Sequence, residues 1–192
     1  MTIKNALILH GTGNDSSGNW FPWLKTELQH RGYKVWVPDL PDANNPNIKR
    51  YNAFILKNKQ WEFNSDSVLI GHSSGSVAIL GLLQHLPKAT VVDTCILVGS
   101  FVASAKDKDW EQMNGLFEEP FDFEKIKKHA KRFVFVHSDD DPYCPLEQAQ
   151  YLSDHVGGEF ILKHNQGHFN LEKGPEYTQF PLMLEILEKN SL

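Results

Sequence analysis

Short, unbroken apolar runs separated by amphipathic stretches dominate this chain. Ala6-Leu7-Ile8-Leu9, Tyr33-Lys34-Val35-Trp36-Val37, Ser67-Val68-Leu69-Ile70, Cys95-Ile96-Leu97-Val98, Phe133-Val134-Phe135-Val136 and Phe160-Ile161-Leu162 read as strands. Between them the apolar positions fall at helical spacing. Residues 20–30 carry Phe21, Leu24 and Leu28 on one face, with Pro22 in the first turn and Gly32 beyond the end. Residues 48–58 predict a second helix and residues 77–83 a buried one. Pro145 opens another, with Ala149, Leu152 and Val156 on one face and Gly157-Gly158 closing it. A last helix is expected over residues 176–189. Continuously apolar strands, each followed by a helix, imply an α/β fold: a mostly parallel sheet of about six strands covered by helices on both faces. The length of 192 residues suits a single domain over residues 1–192.

In such sheets the working groups lie beyond the carboxyl ends of the strands. That rule selects residues 10–13, Asp39, Ser73, residues 99–101, 139–141 and 164–168. Among them, Gly71-His72-Ser73-Ser74-Gly75 follows a strand and precedes a helix, which describes a nucleophile elbow. Ser73 alone has glycine two residues away on both sides, so Ser74 and Ser76 are poor rivals. A serine hydroxyl needs a base and a group that orients the base, and on this type of fold the chain order is Ser, acid, His. Asp139-Asp140-Asp141-Pro142 follows the fifth strand and Gly167-His168 the sixth. Asp141, fixed by Pro142, is the expected acid, with Asp139 and Asp140 structural; His168 is the expected base and His164 a strand-end residue. His10 and His72 flank the loops that would hold an oxyanion and are expected to hydrogen-bond them. The oxyanion donors expected are the amides of Thr12 and Ser74. A neutral imidazole is required for the base, so activity should fall as pH drops through roughly 6 to 7.

Composition narrows the alternatives. The net charge of −5, with no basic stripe, argues against nucleic acid as a partner. The longest apolar stretches are of strand length, too short to span a membrane. Met1-Thr2-Ile3-Lys4-Asn5 enters a strand with no signal-type segment, and Cys95 and Cys144 form no disulfide framework, so a cytoplasmic location is expected. Gly11-x-Gly13 with Asp39 partly matches a dinucleotide fingerprint, but Ser16 stands where the third glycine belongs. Residues 13–18 are followed by Asn19-Trp20, where a phosphate-binding loop needs Lys-Ser/Thr. Asp139, Asp140, Asp141, His164 and His168 lack specific metal-ligand spacing, and Cys144 lacks an elbow. No metal and no cofactor are therefore expected. Residues 101–121, with Trp110, Met113, Leu116, Phe117 and Phe121 among Asp107, Asp109, Glu111, Glu118 and Glu119, read either as a short helical flap over the site or as a packed surface helix. Trp20 and Phe101 are expected to line a modest pocket for short acyl esters or small amides.

With Ser73, Asp141 and His168 placed, the chain resembles an α/β-hydrolase without a cap domain. More narrowly it is similar to the retinoblastoma-binding protein 9 family of small serine hydrolases. The likeness rests on Trp20-Phe21-Pro22-Trp23, Leu40-Pro41-Asp42, the elbow, Phe123-Glu124-Lys125-Ile126-Lys127, Asp140-Asp141-Pro142 and Gly167-His168-Phe169. It implies hydrolysis of esters or amides, with the same three residues as nucleophile, acid and base. The Leu-x-Cys-x-Glu segment of the name-giving member is absent; Phe63-Asn64-Ser65-Asp66-Ser67 stands there. Retinoblastoma-type binding is therefore not expected. The competing function is a non-catalytic interaction module on a hydrolase scaffold. A monomer or small homo-oligomer is expected.

Overall fold

The computed structural model describes residues 3–103 and 108–189. Met1, Thr2 and Asp107, named above, lie outside them. Strands β1 (Asn5–Leu9), β2 (Lys34–Trp36), β3 (Ser67–His72), β4 (Val92–Val98), β5 (Ala130–Ser138) and β6 (Glu159–Lys163) form one sheet in the order β2-β1-β3-β4-β5-β6. Every pairing in it is parallel. The helices are α1 (Phe21–His30), α2 (Ile48–Leu56), α3 (Ser74–His85), α4 (Phe123–Ile126), α5 (Leu146–Val156) and α6 (Leu182–Glu188).

Alternation along the strands divides the core into two layers. Ala6, Ile8, Val68, Ile70, Ile96 and Val98 face α1 and α6, meeting Phe21, Leu24, Leu28, Met183 and Ile186. Leu7, Leu9, Leu69, Cys95, Leu97 and Phe135 face the other way, against Tyr51 and Ile55 of α2, Ile79 and Leu83 of α3, and Leu152 of α5. Because both faces are covered, polar alternation has nowhere to go, and the central strands read as solid apolar runs. Each such side chain contributes about 1.5–3 kcal/mol on burial.

Local signals set the helix ends. The Asn47 side chain accepts from Arg50 N–H at 2.9 Å to start α2. Gly157, at φ 73°, closes α5 in the left-handed region. The last helix differs from expectation. A 3-10 turn at Pro175–Thr178 and α6 are separated by extended backbone at Gln179 (φ −136°, ψ 153°). Pro181 has no N–H to continue a helix through that point, so one expected helix is two. Among the described residues no helix is long and apolar enough to cross a membrane.

The chain turns back at one place that matters. From β1 it crosses to β2 on one side, then returns to β3 on the other. The crevice at the carboxyl ends of β1 and β3 is the topological switch point, where ligands of open α/β sheets bind. Residues 10–13 and Ser73 sit there.

Candidate active site

Ser73 leaves β3 with φ 56° and ψ −127°, backbone angles that a residue with a side chain rarely adopts. The corner is held by Ser73 N–H donating to Val98 O at 2.8 Å and by Ser76 N–H donating to Ser73 O at 2.9 Å. Chain crowding dictates the flanking glycines. A Cβ on Gly75 would lie 2.3 Å from Leu9 O, and one on Gly71 2.5 Å from Ser76 Cα. A third glycine belongs to the same corner: a Cβ on Gly11 would stand 2.9 Å from that of Ser73.

The loop after β1 is aimed by His10. Leu40 N–H donates to His10 Nε2 at 2.9 Å, so the ring's proton is on Nδ1, which donates to Gly11 O at 2.8 Å. Burial lowers the pKa of His10 and favours this neutral form. With no cis peptide among the described residues, holding the Gly11 carbonyl turns the Thr12 N–H the opposite way. The Thr12 hydroxyl donates to Ser74 Oγ at 2.8 Å, with Met113 Sδ at 3.4 Å. Ser74 is the first residue of α3, so its N–H has no acceptor within the helix. Thr12 and Ser74 are thus tied together, 62 positions apart in sequence.

Beyond β5 and β6, His168 Nδ1 lies 2.8 Å from Asp141 Oδ2, with side chains 6% and 1% exposed. The other carboxylate oxygen accepts from Tyr143 N–H (2.9 Å) and Cys144 N–H (3.0 Å). Burial pushes the Asp141 carboxyl up. The hydrogen bond and charge of His168, followed by the two amides, outweigh it and leave the pKa below the usual aspartate value. An ionised carboxylate only accepts, so Nδ1 carries the proton and Nε2 of a neutral ring keeps its lone pair. Gly99, at φ 57°, makes room for the pair: a Cβ there would be 2.9 Å from His168 Cε1.

The other two aspartates hold the loop that carries His168. Asp139 accepts from Asn165 N–H at 3.0 Å and pairs with the exposed His164 ring at 2.5 Å. Asp140 accepts from Gly167 N–H at 2.7 Å and from the Ser138 hydroxyl at 2.6 Å, and pairs with Lys173 at 3.0 Å. Ser138 Oγ in turn accepts from Gln166 N–H at 2.9 Å. These bonds fix a loop in which Asn165, Gly167 and Phe169 all have positive φ.

Thr12, Ser73 and His168 line one cavity of about 370 Å³, with Trp110, Met113 and Tyr143 as its apolar wall and Asn14, Asn19, Gln112, Asn170 and Glu172 around it. Among the described residues no hydrogen bond joins Ser73 Oγ to His168. A second cavity, about 240 Å³ between α2, α3 and residues 115–121, contains neither residue.

Trp20 and Phe101 require correction as pocket residues. Trp20 is fully buried, packs on Phe21 and Phe180, and donates its indole N–H to Phe169 O at 3.0 Å. Phe101 is 1% exposed and packs with Val77, Leu116 and Cys144. Large rings beside the sheet gain more from burial than from lining a wet cavity. Trp110 and Tyr143 supply the cavity's aromatic surface instead. Residues 108–116 are a 3-10 stretch in which Trp110, Gln112 and Met113 meet the cavity while Met113 and Leu116 also pack inward. Asp39, the acid of the dinucleotide reading, accepts from Ser16 N–H at 2.7 Å and shapes the loop after β1.

The aspartates and histidines considered for a metal are divided among separate pairings: Asp139 with His164, Asp140 with Lys173, and Asp141 with His168. Asp141, Cys144 and His168 do bring potential ligand atoms within 4.8 Å of one another. Burial pushes the Cys144 thiol well up, which favours the protonated, non-ligating form, and Asp141 and His168 already satisfy each other.

A family model described as serine hydrolase matches residues 6–189. The chain is 27% identical over 184 residues to YdeN of Bacillus subtilis, covering 96% of this chain and 94% of that one. The crystal structure of the ydeN gene product superposes with a TM-score of 0.88 at 25% identity, covering 97% of both chains. Serine hydrolase RBBP9 of Rattus norvegicus is 26% identical over 182 residues, 93% of this chain and 90% of its own.

Proposed function

The chain belongs to the serine hydrolase family and has the α/β-hydrolase fold, and from that premise we propose that it cleaves a small carboxylic ester or amide through Ser73, His168 and Asp141. The observation that carries this reading is the His168–Asp141 pair, buried behind the cavity wall on which Ser73 and His168 both lie. Ser73 Oγ attacks the substrate carbonyl while His168 Nε2 takes its proton. Asp141 keeps the other nitrogen protonated and stabilises the imidazolium that forms. The Thr12 and Ser74 amides receive the tetrahedral oxyanion. His168 then returns the proton to the leaving group, and water, activated by the same base, hydrolyses the acyl-enzyme.

A cavity of about 370 Å³ is near the low end of the roughly 300–1,000 Å³ typical of small-molecule sites. That size favours acetyl to hexanoyl esters or small amides over long lipid chains. The carboxamides around it suit a substrate with polar atoms close to the carbonyl.

A fluorophosphonate probe and a panel of 4-nitrophenyl esters test the proposal. Wild type is expected to label and to turn over the short esters. Ser73→Ala is expected to lose labelling and, by analogy with other triad enzymes, as much as ~10⁶ in kcat. Folded wild-type protein that neither labels nor hydrolyses would instead favour an interaction module.

A further inference from the structure

The geometry points to His72 as a positioning residue: through its Nε2–H it holds the backbone carbonyl of His168, and so sets the separation between the Ser73 corner and the imidazole. This rests on the proposed roles of Ser73 and His168.

His72 is the last residue of β3 and immediately precedes Ser73. It is 3% exposed, and its Nε2 lies 2.7 Å from His168 O. A carbonyl only accepts, so the ring's proton is on Nε2. Its Nδ1 is buried without a partner. Burial first, then the neighbouring charge of His168, push its pKa down to about 3, while the His168 carbonyl, Asp141 and His10 act less strongly. The ring therefore stays neutral and keeps its donor wherever a histidine base could work. It is not a second base.

A second donor grips the next carbonyl. Trp20 Nε1–H donates to Phe169 O at 3.0 Å. Its ring stands edge-on to His72, with centroids 6.0 Å apart, while His72 and His168 are at 4.7 Å. The two gripped carbonyls flank Phe169 Cα, whose φ of 52° is costly for an aromatic residue. Asp139, Asp140 and Ser138 hold the preceding part of the loop from the β5 side. The grip from β3 comes from His72. One strand end thus delivers the nucleophile and, one residue earlier, the clasp on the base, so the two share a frame.

A residue that merely fills space could be replaced by an apolar one. The comparison is His72→Leu, His72→Asn and His72→Gln, with Trp20→Phe alongside. Gln can place an amide N–H near the position of Nε2; Asn keeps a buried amide but stops short of the carbonyl. Kinetics with 4-nitrophenyl acetate are normalised to active sites counted by fluorophosphonate titration, which removes unfolded protein from the measurement. We expect kcat to fall about ten- to a hundredfold in His72→Leu and His72→Asn, with KM little changed. His72→Gln should stay within about threefold of wild type, and Trp20→Phe should lose only a few-fold. Wild-type kcat per active site in Leu or Asn would overturn the inference, as would a Gln variant no better than Asn. If His72→Leu does not fold, the Gln–Asn contrast decides. Wild type that fails to label would refute the hydrolase reading itself, a result separate from any difference among the variants.

Discussion

The two sides of the cavity are built in opposite ways. The Ser73 corner is mainly a backbone construction: a strained turn with glycines wherever another strand or helix comes too close, and main-chain hydrogen bonds to β4 and α3, with the Ser76 hydroxyl also donating to Ser73 O. The His168 loop is a side-chain construction. Its backbone is held at successive points by Asp139, Ser138, Asp140, His72 and Trp20, contributed by three separate parts of the chain. The proposed nucleophile needs a fixed, exposed angle, which close packing of backbone provides. The proposed base, His168, follows another strand, and side chains reach across that gap to hold its loop. A defect on the first side should therefore act through steric conflict, and on the second through loss of a specific hydrogen bond.

The strongest way to probe that difference is Asp141→Asn. The replacement is nearly isosteric, but its amide can donate to His168 Nδ1 and favour the wrong tautomer. A loss of up to about 10⁴ in kcat is expected at nearly unchanged stability, read by steady-state kinetics and thermal melting together. Gly75→Ala tests the other side. A Cβ there meets two main-chain carbonyls, at 2.3 and 2.5 Å, and neither can rotate away. Denaturant unfolding should show a loss of about 3 kcal/mol; a neutral result would mean the corner can relax. Asp140→Asn lies between the two. Asn can still accept from Gly167 N–H but loses the charge that faces Lys173, so about a tenfold loss of kcat/KM is expected, with labelling of Ser73 still detectable. A larger loss than in Asp141→Asn would reverse their assigned roles.

Acid separates the two sides most gently. The Asp139, Asp140 and Asp141 carboxyls are all held below the ordinary aspartate value of 3.8. For Asp140 the largest cause is the Ser138 hydroxyl, followed by Gly167 N–H. A depressed carboxyl pKa contributes stability that is present above its unfolded value and lost as pH falls through the folded one. Hydrogen-exchange protection of the Gly167 amide should therefore decline below pH 3.8. The Ser73 amide, bonded to a main-chain carbonyl, should keep its protection over the same range. Equal decline at both would show that acid unfolds the whole molecule at once.

This difference in construction also governs what could be read from the sequence. The parallel sheet was legible because buried strands announce themselves as apolar runs. The corner was legible because its packing demands glycine at fixed local offsets. The convergence of Ser73, Asp141 and His168 at one rim was legible from their places after strands. The bonds that hold the His168 loop were not, because they join residues far apart: 96 positions separate His72 from His168, and 149 separate Trp20 from Phe169. No local pattern distinguishes an indole that lines a pocket from one that donates inward. For Gly99 the signal was weak, a glycine at a strand end with no elbow around it. Pro181 was a readable break in the last helix, since proline inside a helical pattern removes a donor.

The three adjacent carboxylates after β5 have one more consequence. Each serves its own station on the facing loop, in step: Asp139 at residues 164 and 165, Asp140 at 167, and Asp141 at 168. Inserting or deleting a single amino acid within either stretch would put the carboxylates on one side of the change out of step with their partners. These two loops are therefore locked in relative length, like the teeth of a zip, and any growth or shortening of the chain must be absorbed elsewhere.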